Sequence, residues 1–383
     1  MNGQTIRLLF VVPLLKQGGA ERHLTTLLPR LDPARFDASV VCIGGEGELF
    51  ADLRDAGVDA TVLDLPKWQA VRALRDLISI IRRERPDVVS VWGYNAETLG
   101  RIAARAAGVE HTVMWVHNAS EITPRGFVHR TVDRALIPWT SRYFGVANVQ
   151  RDFLVHERGY PADKIRIIHN GVDPELFDVN TDRRVMADFG FTESSPVVGI
   201  LGSLRPEKDH VTFLQAARIV VDQLPRARFL IIGDGECRSH LEALCRELRI
   251  TSNVHFAGAR DDVGRLLGAV DVFALTSTTE CLPIALLEAM ACARPAVCTA
   301  VGGVTEVMED GVTGYLVPPR DPAQLAVQLL RLLSDPQTAR HMGRAARRRI
   351  EADFALDRSV EAAQRAFENL VTFPYARVDG VNA

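Results

Sequence analysis

Two carboxylates and two cations stand out as side chains whose spacing lets them act on one ligand. Glu280 and Glu288 lie eight residues apart, and Arg205 and Lys208 lie three apart. An apolar run, Val270 to Leu275, leads to Glu280 and reads as a buried strand, and the polar break Ser277 to Glu280 reads as a loop at its carboxyl end. Pro283 suits the first turn of a helix, because its fixed φ is helical and its missing N–H has no partner to lose there. Ile284, Leu286, Leu287, Met290 and Ala291 then recur at helical spacing. Glu280 therefore sits in a strand-to-helix loop and Glu288 in the second turn of the helix. At a rise of about 1.5 Å per residue, one polar ligand can touch both, with its anionic part against the helix N-terminus.

The cations occupy a similar place. Gly199-Ile200-Leu201-Gly202-Ser203-Leu204-Arg205-Pro206-Glu207-Lys208-Asp209 follows a strand and precedes a helix. An arginine and a lysine in such a loop can clamp two phosphates, the arginine through two parallel N–H groups. Gly233-Asp234-Gly235-Glu236 partly matches a dinucleotide fingerprint, but its third glycine position is Arg238. Gly18-Gly19 places side-chain-free N–H groups at the start of a helix, a setting suited to an anion or a sugar. His117 ends a strand, where open α/β sheets bind ligands, although a single histidine is also a common structural hydrogen-bonding residue. Cys281 has no histidine near it in sequence, so it reads as a small buried residue and not as a nucleophile. No paired aspartates and no histidine cluster offer to hold a metal.

Two glutamates eight apart, followed by Ala289-Met290-Ala291, resemble the nucleotide-sugar motif of the retaining glycosyltransferases of family 4. The resemblance covers nearly the whole chain and is strongest from Gly199 to Pro319. It implies the glycosyltransferase-B fold and transfer of a sugar from a nucleotide-diphosphate donor to a hydroxyl, with retention at the anomeric carbon. It puts Glu288 on the ribose hydroxyls, Glu280 on the donor sugar, and Arg205 and Lys208 on the diphosphate, where they take the place of a divalent metal, so no cofactor is expected. His117, Glu280, Arg205 and Lys208 are thereby the candidate catalytic residues. Gly18, Gly19, Gly233, Leu282 and Pro283 join Glu288 as candidate donor contacts. Gly302-Gly303 resembles a later glycine loop of the family that lets backbone approach the donor. One departure stands out: the family usually has glycine after the first glutamate, whereas here it is Cys281, and Pro283 then removes an N–H that the sugar or phosphate can otherwise use.

The elements that must position these residues alternate strand and helix, which implies mostly parallel sheets covered on both faces. The expected organisation is two Rossmann-like α/β domains facing across a cleft: an acceptor domain over residues 1–175, with the terminal helix 356–383 packed back on it, and a donor domain over 190–355. A polar segment reaching Phe191 reads as the linker. The helix from Gln69 to Glu84 is expected to bury Val71, Leu74, Leu77, Ile78 and Ile81 on one face.

Composition bounds the rest. The chain has 383 residues, 47% hydrophobic and 24% charged, as in a soluble globular protein. A net charge of −3 gives no signal for nucleic acid. Six scattered cysteines without a C-x-x-C spacing read as reduced thiols. No stretch has the length of a membrane span or the pattern of a signal peptide, so the expected location is the cytoplasm. Residues 1–170 carry a balance of +3 and the remainder −6. Trp68 with Arg72, Arg75, Arg82, Arg83 and Arg85, and the stretch from Arg125 to Trp139, can dock on anionic lipid at the inner membrane face, or can be ordinary solvated surface. The expected partners are a nucleotide-sugar donor and a glycan or lipid-linked saccharide acceptor in cell-surface polysaccharide synthesis. The sequence also leaves room for a nucleotide-sugar epimerase of the same fold and for a non-catalytic donor-binding subunit.

Overall fold

The computed structural model describes residues 5–16, 18–117, 126–177, 179 and 182–372. Asn118, Arg125 and positions 373–383 of the expected terminal helix lie outside them. The chain divides into two units, Met1–His169 with Asp357–Ala383, and Asn170–Leu356.

The first unit is a parallel sheet of seven strands: β1 (Ile6–Val12), β2 (Phe36–Cys42), β3 (Asp59–Val62), β4 (Val88–Val91), β5 (His111–Val116), β6 (Arg142–Gly145) and β7 (Ile165–Ile167). Their order across the sheet is β3-β2-β1-β4-β5-β6-β7. The central strands β1, β4 and β5 are short apolar runs, nearly all buried, as parallel pairing by helical crossovers demands. The helix Leu356–Thr372 brings Phe367 against Phe10, Trp115 and Phe144, with ring centroids 6.1, 6.4 and 5.4 Å away. Each such aromatic contributes about 1.5–3 kcal/mol by burial.

A buried charged network also ties the first unit together. Arg101 donates to Asp133 Oδ1 at 2.5 Å and to the Glu97 carbonyl at 2.8 Å, and Tyr160 donates to Asp133 Oδ2 at 2.6 Å. The Arg101 side chain has no exposure at all, so its charge depends on that carboxylate.

One helix buries the face its spacing suggests except at its first turn: Leu77 and Ile81 are buried and Leu74 and Ile78 pack against the same core. In Ala70–Glu84 the buried residues are Ala73, Leu77, Ile80 and Ile81, while Val71 is 84% exposed. Val71 stands in the first turn, directly after a short 3-10 turn, Lys67–Gln69. The stripe that packs on the sheet begins only at Ala73.

The second unit is a parallel sheet of six strands: β8 (Val197–Leu201), β9 (Arg228–Ile232), β10 (Val254–Gly258), β11 (Val272–Leu275), β12 (Ala296–Thr299) and β13 (Gly314–Val317), ordered β10-β9-β8-β11-β12-β13. Phe213 of the helix His210–Gln223 meets Phe229 of β9 edge-on at 5.7 Å in its core. The segment expected as a linker forms a 3-10 helix, Arg183–Phe189, held to this unit by Arg183 and Asp271. Among the described residues no helix is long and apolar enough to cross a membrane.

Candidate functional site

In the second sheet the strand order reverses between β8 and β11. Crossovers leaving neighbouring strands toward opposite sides open a crevice at their carboxyl ends, where such sheets bind ligands. The loop after β8 carries Arg205 and Lys208, and the loop after β11 carries Glu280. Sequence order alone does not make these loops neighbours; the sheet order does.

Main-chain acceptors stitch the two loops together. Thr278 N donates to the Glu207 carbonyl at 2.8 Å, and Thr276 Oγ1 donates to the Lys208 carbonyl at 2.9 Å. Across this seam Lys208 Nζ donates to Glu280 Oε1 at 2.6 Å, and Ser277 Oγ donates to the same oxygen at 2.6 Å. The Glu280 side chain is only 9% exposed and that of Lys208 25%. Little water reaches the pair, so its attraction is screened weakly.

Several supports hold this loop from behind. Gly302 has φ +48°, and a Cβ there would run into the Glu280 carbonyl, so the loop rests on bare backbone. Thr299 Oγ1 donates to the Ser277 carbonyl at 2.6 Å, and Asn170 Nδ2 donates to the Leu282 carbonyl at 3.1 Å. Ser277, Thr299 and Asn170 are the supports that sequence reasoning missed. The hydroxyl-rich run Thr276-Ser277-Thr278-Thr279 was their one visible signal.

Pro283 is placed one position earlier than its residue type suggests. It is the N-cap of the helix Ile284–Ala291, with ψ 114°, because its carbonyl already accepts from Leu286 N at 3.1 Å while its own backbone is still extended. Glu288 falls in the second turn of that helix and is buried.

The Gly233–Gly235 turn has a steric explanation. Gly233 has φ +130° and would drive a Cβ into the Gly202 carbonyl, and a Cβ on Gly235 would strike the backbone of Leu204. Leu204 N donates to the Asp234 carbonyl at 3.0 Å. The glycines thus let this turn pack directly against the loop that bears Arg205. Arg238, in the third glycine position, pairs with Asp234 at 2.8 Å and Glu242 at 2.9 Å. Arg205 itself is exposed, and its guanidinium has no partner among the described residues.

Cys281 is buried. Burial first, and then the charge of Glu280, pushes its thiol well above the ordinary range. It stays protonated and is a poor nucleophile. His210, two residues after Lys208, is pushed down to about 4 by burial, with the lysine charge adding to the effect.

In the first unit, His117 follows β5 with its ring 4.7 Å from Trp92 and stacked at 6.2 Å on Trp115. Neither ring nitrogen has a partner among the described residues. Burial, followed by the nearby His23, lowers its pKa to about 3. Near neutral pH the ring is uncharged, with one donor and one acceptor, which matches hydroxyl groups better than phosphates. Gly18 is the N-cap of the helix Gly19–Leu27, where a Cβ would collide with the Glu21 carboxylate. Among the described residues no group of three or more His, Cys, Asp or Glu is placed to hold a metal ion.

Comparison with known proteins fits this geometry. Residues 182–349 match the model described as glycosyl transferases group 1, and residues 17–176 match that of glycosyltransferase family 4. The chain is 26% identical over 375 residues to an Escherichia coli UDP-Gal:alpha-D-GlcNAc-diphosphoundecaprenol alpha-1,3-galactosyltransferase, covering 94% of this chain and 96% of the relative. It is 26% identical over 368 residues to a Corynebacterium glutamicum GDP-mannose-dependent mannosyltransferase of monoacylated phosphatidylinositol monomannoside, covering 88% and 91%. The crystal structure of Anabaena HepE with UDP and glucose superposes with a TM-score of 0.84 at 21% identity, covering 95% of this chain and all of that one. The chain belongs to the group 1, family 4-like glycosyltransferases and has their glycosyltransferase-B fold.

Proposed function

We propose that the protein transfers a hexosyl or N-acetylhexosaminyl residue from a UDP- or GDP-sugar to a hydroxyl of a glycan or lipid-linked saccharide, with retention and without a divalent metal. The observation that carries this reading is the Lys208–Glu280–Ser277 cluster at the reversal of strand order, with Glu288 in the helix that follows. Lys208 and Arg205 offset the charge of the departing diphosphate, the task a metal performs elsewhere. Glu288 accepts from the ribose hydroxyls and Glu280 from those of the sugar. In the transfer, the bond from the anomeric carbon to the phosphate oxygen breaks and the bond to the acceptor oxygen forms on the same face. The acceptor proton passes to the departing phosphate. From the first unit the reading enlists the uncharged His117 ring and the Gly18–Gly19 turn for the sugar. The relatives that use UDP-Gal and GDP-mannose, both on lipid-linked acceptors, support the donor and acceptor classes.

The same reading includes peripheral docking on an anionic membrane. Trp68 and Val71 are exposed beside Arg72 and Arg75, and Phe127 and Val128 are exposed beside Arg130. Sedimentation with phosphatidylglycerol vesicles, comparing wild type with Trp68→Ser/Phe127→Ser, tests it: equal retention would refute the docking.

Calorimetry with a panel of nucleotide sugars in the presence of EDTA tests the central assignment. One nucleotide family binds, and Glu288→Ala binds it about 10–100-fold more weakly, the loss of charge-assisted hydrogen bonds. Equal binding by the variant, or no binding of any nucleotide sugar, would sink it.

A further inference from the structure

The opposite end of the strands of the second sheet carries a cavity of about 490 Å³. Pro196, Asp271 and Pro295, which line it, directly precede β8, β11 and β12, so it opens at the amino ends of the strands, away from the loops of the donor site. Five arginines face it: Arg183, Arg226, Arg294, Arg340 and Arg344. Among the described residues the acids in its wall are Glu193 and Asp271.

Positive charge there exceeds what the cavity itself neutralises. Asp271 is engaged by Arg183 at 2.5 Å and by Val197 N at 2.8 Å. Arg294 donates to the carbonyls of Cys292, Val270 and Val179 at 2.8, 3.1 and 2.9 Å, which orient the guanidinium without cancelling its charge. Arg183 Nε is buried with no partner among the described residues. Arg226, Arg340 and Arg344 are exposed, and among the described residues their side chains make no hydrogen bond or salt bridge. Asp335, which lies within electrostatic reach of Arg340, already caps Gln337 N and Thr338 N.

The backbone is shaped to bring these groups together. Ala293 holds φ +55°, a left-handed conformation that a non-glycine residue rarely adopts. It closes the turn after the helix Ile284–Ala291, with Arg294 N donating to the Ala289 carbonyl at 3.1 Å, and so delivers Arg294 to the cavity. Gly343 lets the helix Pro336–Asp353, which bears Arg340 and Arg344, press onto the Ala293 carbonyl.

We propose that this cavity binds a small phosphorylated ligand with at least two negative charges, a phosphomonoester or a diphosphate, at a site separate from the donor pocket. Guanidinium forks match phosphate oxygens in pairs, and a volume of this size suits a nucleotide- or sugar-phosphate-sized molecule. Leu332, Leu333, Pro295 and Pro336 give the apolar part of such a ligand a wall. The inference is independent of the donor the enzyme uses.

Calorimetric titration with inorganic pyrophosphate tests it on three proteins: wild type, Arg340→Gln/Arg344→Gln, and Arg205→Ala/Lys208→Ala. The third retains a pyrophosphate site, and the second loses that site by at least about tenfold. Arg226→Gln, a single exposed change, gives a smaller loss and guards against misfolding, with unfolding midpoints as a control. Vesicles containing phosphatidic acid form a second arm. Retention on them that depends on Arg340 and Arg344, without a pyrophosphate site, assigns the phosphomonoester to a lipid head group. Pyrophosphate binding unchanged in Arg340→Gln/Arg344→Gln, or fully lost in Arg205→Ala/Lys208→Ala, together with no arginine-dependent vesicle retention, overturns the proposal.

Discussion

Gly302 lies against the carbonyl oxygen of Glu280, with its backbone at φ +48° and no room for a Cβ. A glycine 22 positions away thus fixes the height of the loop that presents the carboxylate. Gly302→Ala is expected to lose about 2 kcal/mol of stability from the left-handed backbone and the collision. Activity falls further than the folded fraction does, because the Glu280 loop must shift. Urea unfolding and turnover measured on the same preparation check this, and a variant with wild-type kcat would refute the positioning role.

Lys208 is held by Glu280 before any ligand arrives. Lys208→Ala should lower kcat by about 10²–10³, the usual loss on removing one group that stabilises developing charge. Lys208→Arg should recover only part, since a planar fork cannot reproduce a point charge at 2.6 Å from the carboxylate. Steady-state kinetics on the three proteins decide, and a change confined to KM would place the lysine in ground-state binding only.

Asp133 pairs with the fully buried Arg101 and also accepts from Tyr160. Asp133→Ala takes away the carboxylate that the buried guanidinium pairs with. A loss of about 3–5 kcal/mol is expected by chemical denaturation. A loss under about 1 kcal/mol would mean that the network is dispensable.

His210 gives a pH signature. Its pKa falls from 6.5 to about 4 through burial and then through Lys208. Above pH 6.5 neither folded nor unfolded chain is protonated there. Between 6.5 and about 4 only the unfolded chain takes up the proton, so stability drops as pH falls through that window and the loss levels off below it. From pH 7.5 to 5 the contribution is roughly 2 kcal/mol. His210→Leu should flatten that part of the urea-midpoint profile. His117, lowered to about 3, adds a loss in the same direction.

The alternation of strand and helix patterns made the parallel sheets legible. The loop position of Glu280 and the helical position of Glu288 followed from Pro283 and the apolar spacing. The Lys208–Glu280 bond was not legible, because it depends on β8 and β11 being neighbours, and strand order is set by tertiary packing. The Arg101–Asp133–Tyr160 network was hidden for the same reason. Val71 was misplaced because periodicity gives a face but not where along the helix the sheet begins.

The bond between Lys208 and Glu280 also sets the ionic balance of the resting pocket. The lysine is already matched by a carboxylate, so on the proposed function a captured diphosphate would leave the pocket anionic unless another cation came in. Arg205, exposed and three residues before Lys208 on the same loop, is a candidate for that cation. On the proposed function it is a counter-ion held back for the leaving group, and its charge would count most after the sugar has left, when the nucleotide is at its most negative.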